Sequence, residues 1–396
     1  MISKMPTIAT KDNSTDTDSP LTSLPTEILL SIAKHVGASE LKANRMEKLL
    51  VCKYWYCIAV GVLMEDMTLS AAGLKSFPPL RTASTEAETA GKQKYNPRTV
   101  AATTARPTST HMGIIRCLSV RLQRHSDWPV LFDPTTQEAI TDWEMRFNRW
   151  LEETGSDITR LANWLDTLQA LERFRFQAVG PGPIPPQPNS WQALLFQNTR
   201  HYLQEDAIAL MCRSIPTRRL RVLEIDTCGS AFVGGHLACQ QVGNGAREHI
   251  CPLIGKYVPS LRSLRVRMHK ICPDIFGGVD GEYTTARKEV VVHLSLFDPL
   301  KGMTKAMMAE LCSAAPPCGR GVLINKMIEG ANAAATKMPN LKATLLYHTY
   351  PYSLMGLDCR TGQSEILDSG IDWLDNEDVV FADRRTSGQF VGVFAL

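Results

Sequence analysis

The sequence predicts an α/β protein in which a small N-terminal three-helix bundle precedes an irregular array of strand–helix units. Three observations carry that expectation. Apolar residues recur at helical spacing between Leu24 and Met64, a strand-sized apolar triplet returns repeatedly from Gly113 onward, and a Pro- and Ser/Thr-rich stretch separates the two regimes.

Length and composition bound what such a chain can be. At 396 residues it is long enough for two or three folded units, and 44% apolar with 21% charged residues is ordinary globular usage. No run of 18 uncharged apolar residues occurs, which excludes a membrane-spanning helix as an expectation. The net charge of +3, from 43 basic against 40 acidic residues, is too small for a dedicated nucleic-acid binder. What excess there is lies in Lys75, Arg81, Lys92, Lys94, Arg98 and Arg106, opposed only by Glu86 and Glu88, and so belongs to a linker rather than a folded face. Eleven cysteines are an odd number and too sparse for a disulfide scaffold, and residues 1–20 are polar with no apolar signal core. Reduced thiols in the cytosol or nucleus are therefore expected.

Taken in order, residues 1–20 offer no apolar surface to offset ordering and are expected to form a disordered tail. Residues 21–70 read as the helical domain. Its first helix runs from Leu24 to Gly37, with Pro25 suiting the first turn, Glu27 complementing the dipole there, and Gly37 suiting the stop. Ile28, Ile32 and Val36 form the expected apolar face, with Leu29 and Ala33 beside it. A second helix is expected over Leu41–Val51, burying Leu41, Met46, Leu49 and Leu50. A third, over Lys53–Met64, places Trp55, Ile58, Ala59, Val62 and Leu63 at helical spacing. So thin a core is marginal alone and calls for an apolar face docked on a partner. Residues 71–112 contain Pro78, Pro79, Pro97 and Pro107 with almost no periodicity and read as a disordered linker or insertion, while 180–188 is a second, Pro-rich break.

The remainder, 113–396, is organised by repetition. Ile115/Leu118/Val120, Leu171/Phe174/Phe176, Leu220/Leu223/Ile225, Leu261/Leu264/Val266 and Val291/Leu294/Leu296 share one spacing. Leu341/Leu346 fits in part, because Thr344 stands in the middle position. Helical segments fall between, such as Glu138–Glu153 with Trp143, Phe147 and Trp150, and Leu161–Leu168. Trp143, Trp150 and Trp164 are expected to fill a helical layer. Strands that return through helices and stack on their predecessors describe an irregular leucine-rich-repeat-like α/β solenoid, one that would serve as a substrate-binding domain. A generic α/β fold is the alternative, since the intervals of 30 to 56 residues between triplets exceed those of regular repeats.

The stretch Leu24-Pro25-Thr26-Glu27-Ile28-Leu29-Leu30-Ser31-Ile32, followed by Leu50-Val51-Cys52-Lys53-Tyr54-Trp55-Tyr56-Cys57-Ile58-Ala59, resembles the F-box motif of filamentous-fungal F-box proteins. Leu63-Met64-Glu65-Asp66-Met67-Thr68-Leu69 extends the similarity. The resemblance implies docking on the adaptor subunit of an SCF-type cullin–RING ubiquitin ligase, and through it on the cullin, while the rest of the chain presents a protein substrate. Carried over by position, the adaptor-binding residues are Leu24, Pro25, Ile28, Val51, Cys52 and Trp55. The rival reading is a stand-alone protein-interaction scaffold without ligase association.

No phosphate-binding Gly-x4-Gly-Lys-Ser/Thr, no Gly-x-Gly-x-x-Gly after a strand and no Gly-x-Ser-x-Gly occurs, so the reading is non-enzymatic with no cofactor. Cys228-Gly229-Ser230 ahead of Gly234-Gly235-His236 reads as an ordinary glycine-rich turn. Cys228, His236, Cys239, His249 and Cys251 supply ligand types but no Cys-x2-Cys pair, and are read as buried thiols and loop histidines with no metal. Asp372, Asp375, Glu377 and Asp378 read as a solvated acidic run. The outward strand positions Arg121, Arg175, Glu224, Asp226, Arg265 and Arg267, with Ser119, Gln177 and Ser295 beside them, form the candidate substrate surface. Arg265 and Arg267 have an alternative fate there, as local ion-pair partners of Glu224 and Asp226.

Overall fold

Pro25 begins the first described element, its carbonyl accepting the amides of Ile28 and Leu29 at 3.1 Å each. The structure, a computed structural model, describes residues 24–43, 53–76, 114–122, 137–178, 203–227, 249–277, 288–295, 309–312, 320–349 and 353–367. It divides into two units, Met1–Asp66 and Met67–Leu396.

In the first unit, α1 spans Thr26–Ala43 and α2 spans Lys53–Glu65. Gly37 does not stop α1. A glycine inside a helix costs only about 1 kcal/mol relative to alanine, and the Ala38–Ala43 stretch that follows, with Glu40, Leu41 and Lys42, is rich in helix formers. The expected second helix loses Leu41 to α1, and its residues 44–51 lie outside the described set. The interior is also turned from its expected setting: it is built from Leu29 and Ala33 of α1 against Trp55, Ala59 and Val62 of α2, with Leu24, Val36, Tyr56, Ile58 and Leu63 packed at the margin. Ile28 and Ile32, one position earlier on the helix and so about 100° away around its axis, are exposed.

The second unit is α/β and contains a mixed nine-stranded sheet. It begins four residues earlier than the expected domain boundary, since Met67–Ser70 belong to an edge strand, β1 (Asp66–Ser70), and the first residues of the expected linker form a short helix, α3 (Ala71–Ser76), that buries Leu74. Then follow β2 (Cys117–Leu122), α4 (Gln137–Leu165), β3 (Arg173–Ala178), α5 (Glu205–Ser214), β4 (Val222–Asp226), α6 (Ile250–Gly255), β5 (Ser263–Arg267) and β6 (Lys270–Ile271). After a 3-10 turn at Pro273–Phe276 come β7 (Lys288–His293), β8 (Glu310–Leu311), α7 (Arg320–Lys337), β9 (Leu341–Thr349), β10 (Ser353–Asp358) and β11 (Ser364–Leu367).

The sheet follows chain order, β1-β2-β3-β4-β5-β7-β9-β10-β11, while β6 and β8 form a separate parallel ribbon. From β2 to β9 successive strands are parallel and in register; β9–β10–β11 is an antiparallel meander. Side chains alternate across a strand, so the register assembles continuous rows. Leu118, Phe174, Leu223, Leu264, Val290 and Ala343 make one row, and Val120, Phe176, Ile225, Val266, Val292 and Leu345 a second on the same face. All twelve side chains are buried.

The strands also begin alike. The carbonyl of Arg116 accepts the amides of Glu172 and Arg173, that of Glu172 accepts Arg221 and Val222, that of Arg221 accepts Arg262 and Ser263, and that of Arg262 accepts Glu289, all at 2.7–3.0 Å. One corner geometry is thus used from strand to strand.

Helices supply the layer that closes the buried face. Phe147, Ile158, Leu161, Trp164 and Leu165 of α4, Ile208 and Met211 of α5, Leu253 and Ile254 of α6, and Leu323 and Met327 of α7 are buried. α4 packs on α3 and on α5, and α5 on α6. The two helical segments expected within 138–168 are joined, α4 being one 29-residue helix. Trp164 is buried as expected, Trp150 sits half-buried and tilted on Phe147 with ring centroids 5.7 Å apart, and the Trp143 side chain lies outside the described set. Tyr257, fully buried, donates its hydroxyl to the carbonyls of Cys212 and Ile215 at the end of α5, which satisfies groups a helix terminus otherwise leaves orphaned.

At β7 the expected triplet is displaced by four residues, since the partners of Leu264 and Val266 are Val290 and Val292 where the shared spacing sets Leu294 and Leu296. Val290 and Val292 occupy the core rows, whereas Val291 turns to the other face and packs with Leu346 and Leu354 in a separate apolar cluster. A continuous Glu289-Val290-Val291-Val292 run carries no alternation from which to choose a face, so pairing to β5 and β9 decides it. The same register puts Ala343 and Leu345 of β9, rather than Leu346, in the core rows.

Candidate functional site

Helix α1 sorts its side chains into two sets. Leu29 and Ala33 are sealed inside the bundle, while Ile28 is 48% and Ile32 39% exposed, with Pro25 exposed and Leu24 half-buried just ahead of them. An Ile of this exposure leaves apolar area in water that a partner surface would remove, at roughly 25 cal/mol per Å². Of the residues carried over from the F-box resemblance, Leu24, Pro25 and Ile28 therefore stand on accessible surface. Trp55 does not: at 7% exposure it belongs to the buried cluster with Leu29 and Ala33. Val51 and Cys52 lie outside the described residues. Ile32, which the carried-over set omits, belongs with Ile28 because residues four apart share a helix face.

The candidate substrate surface on the sheet is mostly closed on itself. Arg175 donates its Nε to Glu224 on the next strand, and Arg267 grips Asp226 with two hydrogen bonds, Nε to Oδ1 at 2.8 Å and a terminal nitrogen to Oδ2 at 2.5 Å. Parallel in-register pairing sets this up by placing Arg175 beside Glu224 and Asp226 beside Arg267. Glu224, Asp226 and Arg265 are all buried; Arg265 stands opposite Glu224 in the ladder. The local ion pair is the fate realised for Arg267, and Glu224 is held by Arg175. Opposite charges directly across a ladder satisfy one another, so Asp226 and Arg267 realise the local pairing that was the alternative expectation. Arg121, at the β2 end, is exposed. Further along the same face the chemistry changes, to buried Thr344 and the apolar Val291–Leu346–Leu354 cluster.

A third constellation brings together residues the sequence keeps far apart. His249 and Cys251 stand at the start of α6, Cys272 directly follows β6, and Cys312 directly follows β8. Because Lys270 pairs with Glu310 and Ile271 with Leu311, the next residues, Cys272 and Cys312, end side by side, and the Cys312 amide donates to the Ile271 carbonyl at 3.2 Å. One ligand atom from each of His249, Cys251, Cys272 and Cys312 lies within 4.8 Å of all the others. Cys251 Sγ is 3.6 Å from Cys312 Sγ, and His249 Nε2 is 2.9 Å from Cys272 Sγ. Asp274 borders the group, its Oδ2 3.4 Å from His249 Nε2 and 3.5 Å from Cys272 Sγ. Hydrogen bonds from Cys251 and Cys272, with Lys270 nearby, bring the Cys312 thiol down to about 5. Hydrogen bonding with Cys272 and Cys312, together with burial, holds the Cys251 thiol well above the usual thiol range.

Glycines permit the convergence. A Cβ on Gly255, which ends α6, would stand 2.1 Å from the Asp274 carbonyl oxygen, and one on Gly330 of α7 would stand 2.4 Å from Pro273 Cβ. Helices on both sides thus approach the 3-10 turn at distances that no side chain would allow.

Of the ligand-type residues singled out in the sequence, His249 and Cys251 belong to this group, whereas Cys228, His236 and Cys239 lie outside the described residues, as do Asp372, Asp375, Glu377 and Asp378. Cys272 and Cys312 carried no local signal, standing 21 residues after Cys251 and 40 after Cys272 with no Cys-x2-Cys pair. Away from this group, burial pushes the Cys212 and Cys359 thiols up to about 12. Among the described residues no helix is long and apolar enough to cross a membrane.

Scanned against models of known protein families and against curated proteins, the chain matches none.

Proposed function

We propose that this chain is the substrate-recognition subunit of an SCF-type cullin–RING ubiquitin ligase, docking on the adaptor through an F-box-like bundle and presenting a protein substrate from an irregular leucine-rich-repeat-like solenoid. The observation that carries the reading is the division of α1 into a sealed stripe, Leu29 and Ala33, and an exposed apolar stripe, Ile28 and Ile32, directly after Leu24-Pro25. A helix stabilised only by its own bundle has no use for the second stripe, and a docking partner of apolar surface has. Support for the solenoid comes from the sheet: strands that neighbour one another in chain order, parallel and in register, with the same backbone corner at successive strand starts. The chain's part in catalysis is proximity. Holding a substrate near a ubiquitin-loaded enzyme raises its effective concentration, with no chemistry from these side chains. Such a protein would work in the cytosol or nucleus.

Affinity purification of the full chain tests this. Adaptor and cullin should be recovered with wild-type protein and lost with Ile28→Ser combined with Ile32→Ser, while the helical circular-dichroism signal is retained. Recovery of other partners without adaptor or cullin from the wild-type chain sinks the ligase reading in favour of the stand-alone scaffold.

A further inference from the structure

We propose that His249, Cys251, Cys272 and Cys312 form a structural zinc site. Three thiols and one imidazole within one small volume are the donor set of tetrahedral zinc, and soft sulfur donors disfavour magnesium and calcium. Zinc–sulfur bonds of about 2.3 Å and zinc–nitrogen bonds of about 2.0 Å place tetrahedral donors about 3.5–3.8 Å apart. The Cys251–Cys312 separation of 3.6 Å already meets that. His249 Nε2 and Cys272 Sγ, 2.9 Å apart, need to open by about 0.6 Å, the exchange of a thiol–imidazole hydrogen bond for two bonds to metal.

The surroundings agree with a structural rather than a catalytic centre. Four protein donors complete a tetrahedron and leave no position for water or substrate. Cys251 and Cys272 are buried, and His249 and Cys312 are half-buried at the rim. Each piece of backbone at the site is also fixed independently of the metal: the β6–β8 pairing aligns Cys272 with Cys312, and Gly255 lets α6 lie against the Asp274 carbonyl. A metal here would clip α6, the β6–β8 ribbon and the 3-10 turn together. It would close loops whose entropy the unfolded chain otherwise keeps, in a segment where β6 and β8 are only two residues long each.

The site stands apart from the docking proposal, and its test makes no use of adaptor. Full-length protein purified under reducing conditions without chelator should contain about one zinc per chain by elemental analysis. Cobalt substitution should give the visible spectrum of a tetrahedral sulfur-rich site. Cys272→Ser and Cys312→Ser should each bring the zinc content close to zero, while Cys57→Ser, an exposed thiol of the other unit, leaves it at one. The wild-type zinc content and cobalt spectrum decide the matter even where a ligand variant fails to fold. Absence of stoichiometric zinc from folded reduced protein overturns the site, as does iron in its place, a Cys251–Cys312 disulfide found by mass spectrometry, or full zinc retention by the Cys272→Ser/Cys312→Ser double variant.

Discussion

The bundle and the sheet treat their apolar residues differently. In the sheet, Phe174, Phe176, Leu223, Leu264 and Val292 are wholly buried, each row of side chains covered by the next strand and by a helix. In the bundle, α1 buries Leu29 and Ala33 yet leaves Ile28 and Ile32 in water. A helix a few turns long presents more apolar circumference than one partner helix can cover, whereas a parallel strand between two neighbours shows its core face only to the helical layer. Apolar side chains are thus left in water on α1 and covered on the core face of the sheet.

Truncating one residue of each kind separates the two regions most strongly. Phe174→Ala, in the fully buried row, is expected to cost about 3–5 kcal/mol of stability in chemical denaturation. Ile28→Ala, on α1, should change stability by less than about 0.5 kcal/mol and act on partner capture alone. Similar costs at the two positions would mean that Ile28 is core and that the bundle has no free face.

A smaller effect is expected from the paired face of the sheet. Asp226 is wholly buried and takes both hydrogen bonds of Arg267, so Asp226→Asn leaves a mostly buried guanidinium without its counter-charge at a cost of about 3 kcal/mol. A loss below 1 kcal/mol by the same denaturation measurement would return these residues to the list of accessible recognition groups.

The smallest effect belongs to Glu153 and Lys75, an ion pair with both side chains about half exposed. The hydrogen bond and charge of Lys75 hold the Glu153 carboxyl below its ordinary range. The pair thus contributes its full stabilisation above the unfolded carboxyl pKa and loses it as pH falls through the lower folded value. Solvent screening keeps the contribution below about 1 kcal/mol. Lys75→Ala should flatten the acid limb of the stability curve by no more than that amount, and a larger change would place the pair in a less solvated setting.

Much of the sheet was legible before folding. The triplets at 115–120, 171–176, 220–225 and 261–266 name the buried rows of β2 to β5 correctly, because a one-residue choice of face is written into each strand by its own alternation. The valine run at β7 carried no such choice, and neither Gly37 nor Gly155 interrupted its helix, since a single glycine is a mild penalty that packing overrides. The thiol–imidazole group was legible only in its first half, His249 and Cys251. Cys272 and Cys312 become neighbours through the β6–β8 pairing, a contact between residues 40 apart in the chain that no local pattern announces.

What local pattern fixed was the helical character of α1 and α2 and the core faces of β2 to β5, because period and propensity act over a few residues. Tertiary structure alone decided which isoleucines of α1 stay in water, which carboxylates the arginines of β3 and β5 hold, and which donors meet around one point. Those outcomes depend on register and helix rotation, and both are set by what lies across the gap rather than along the chain.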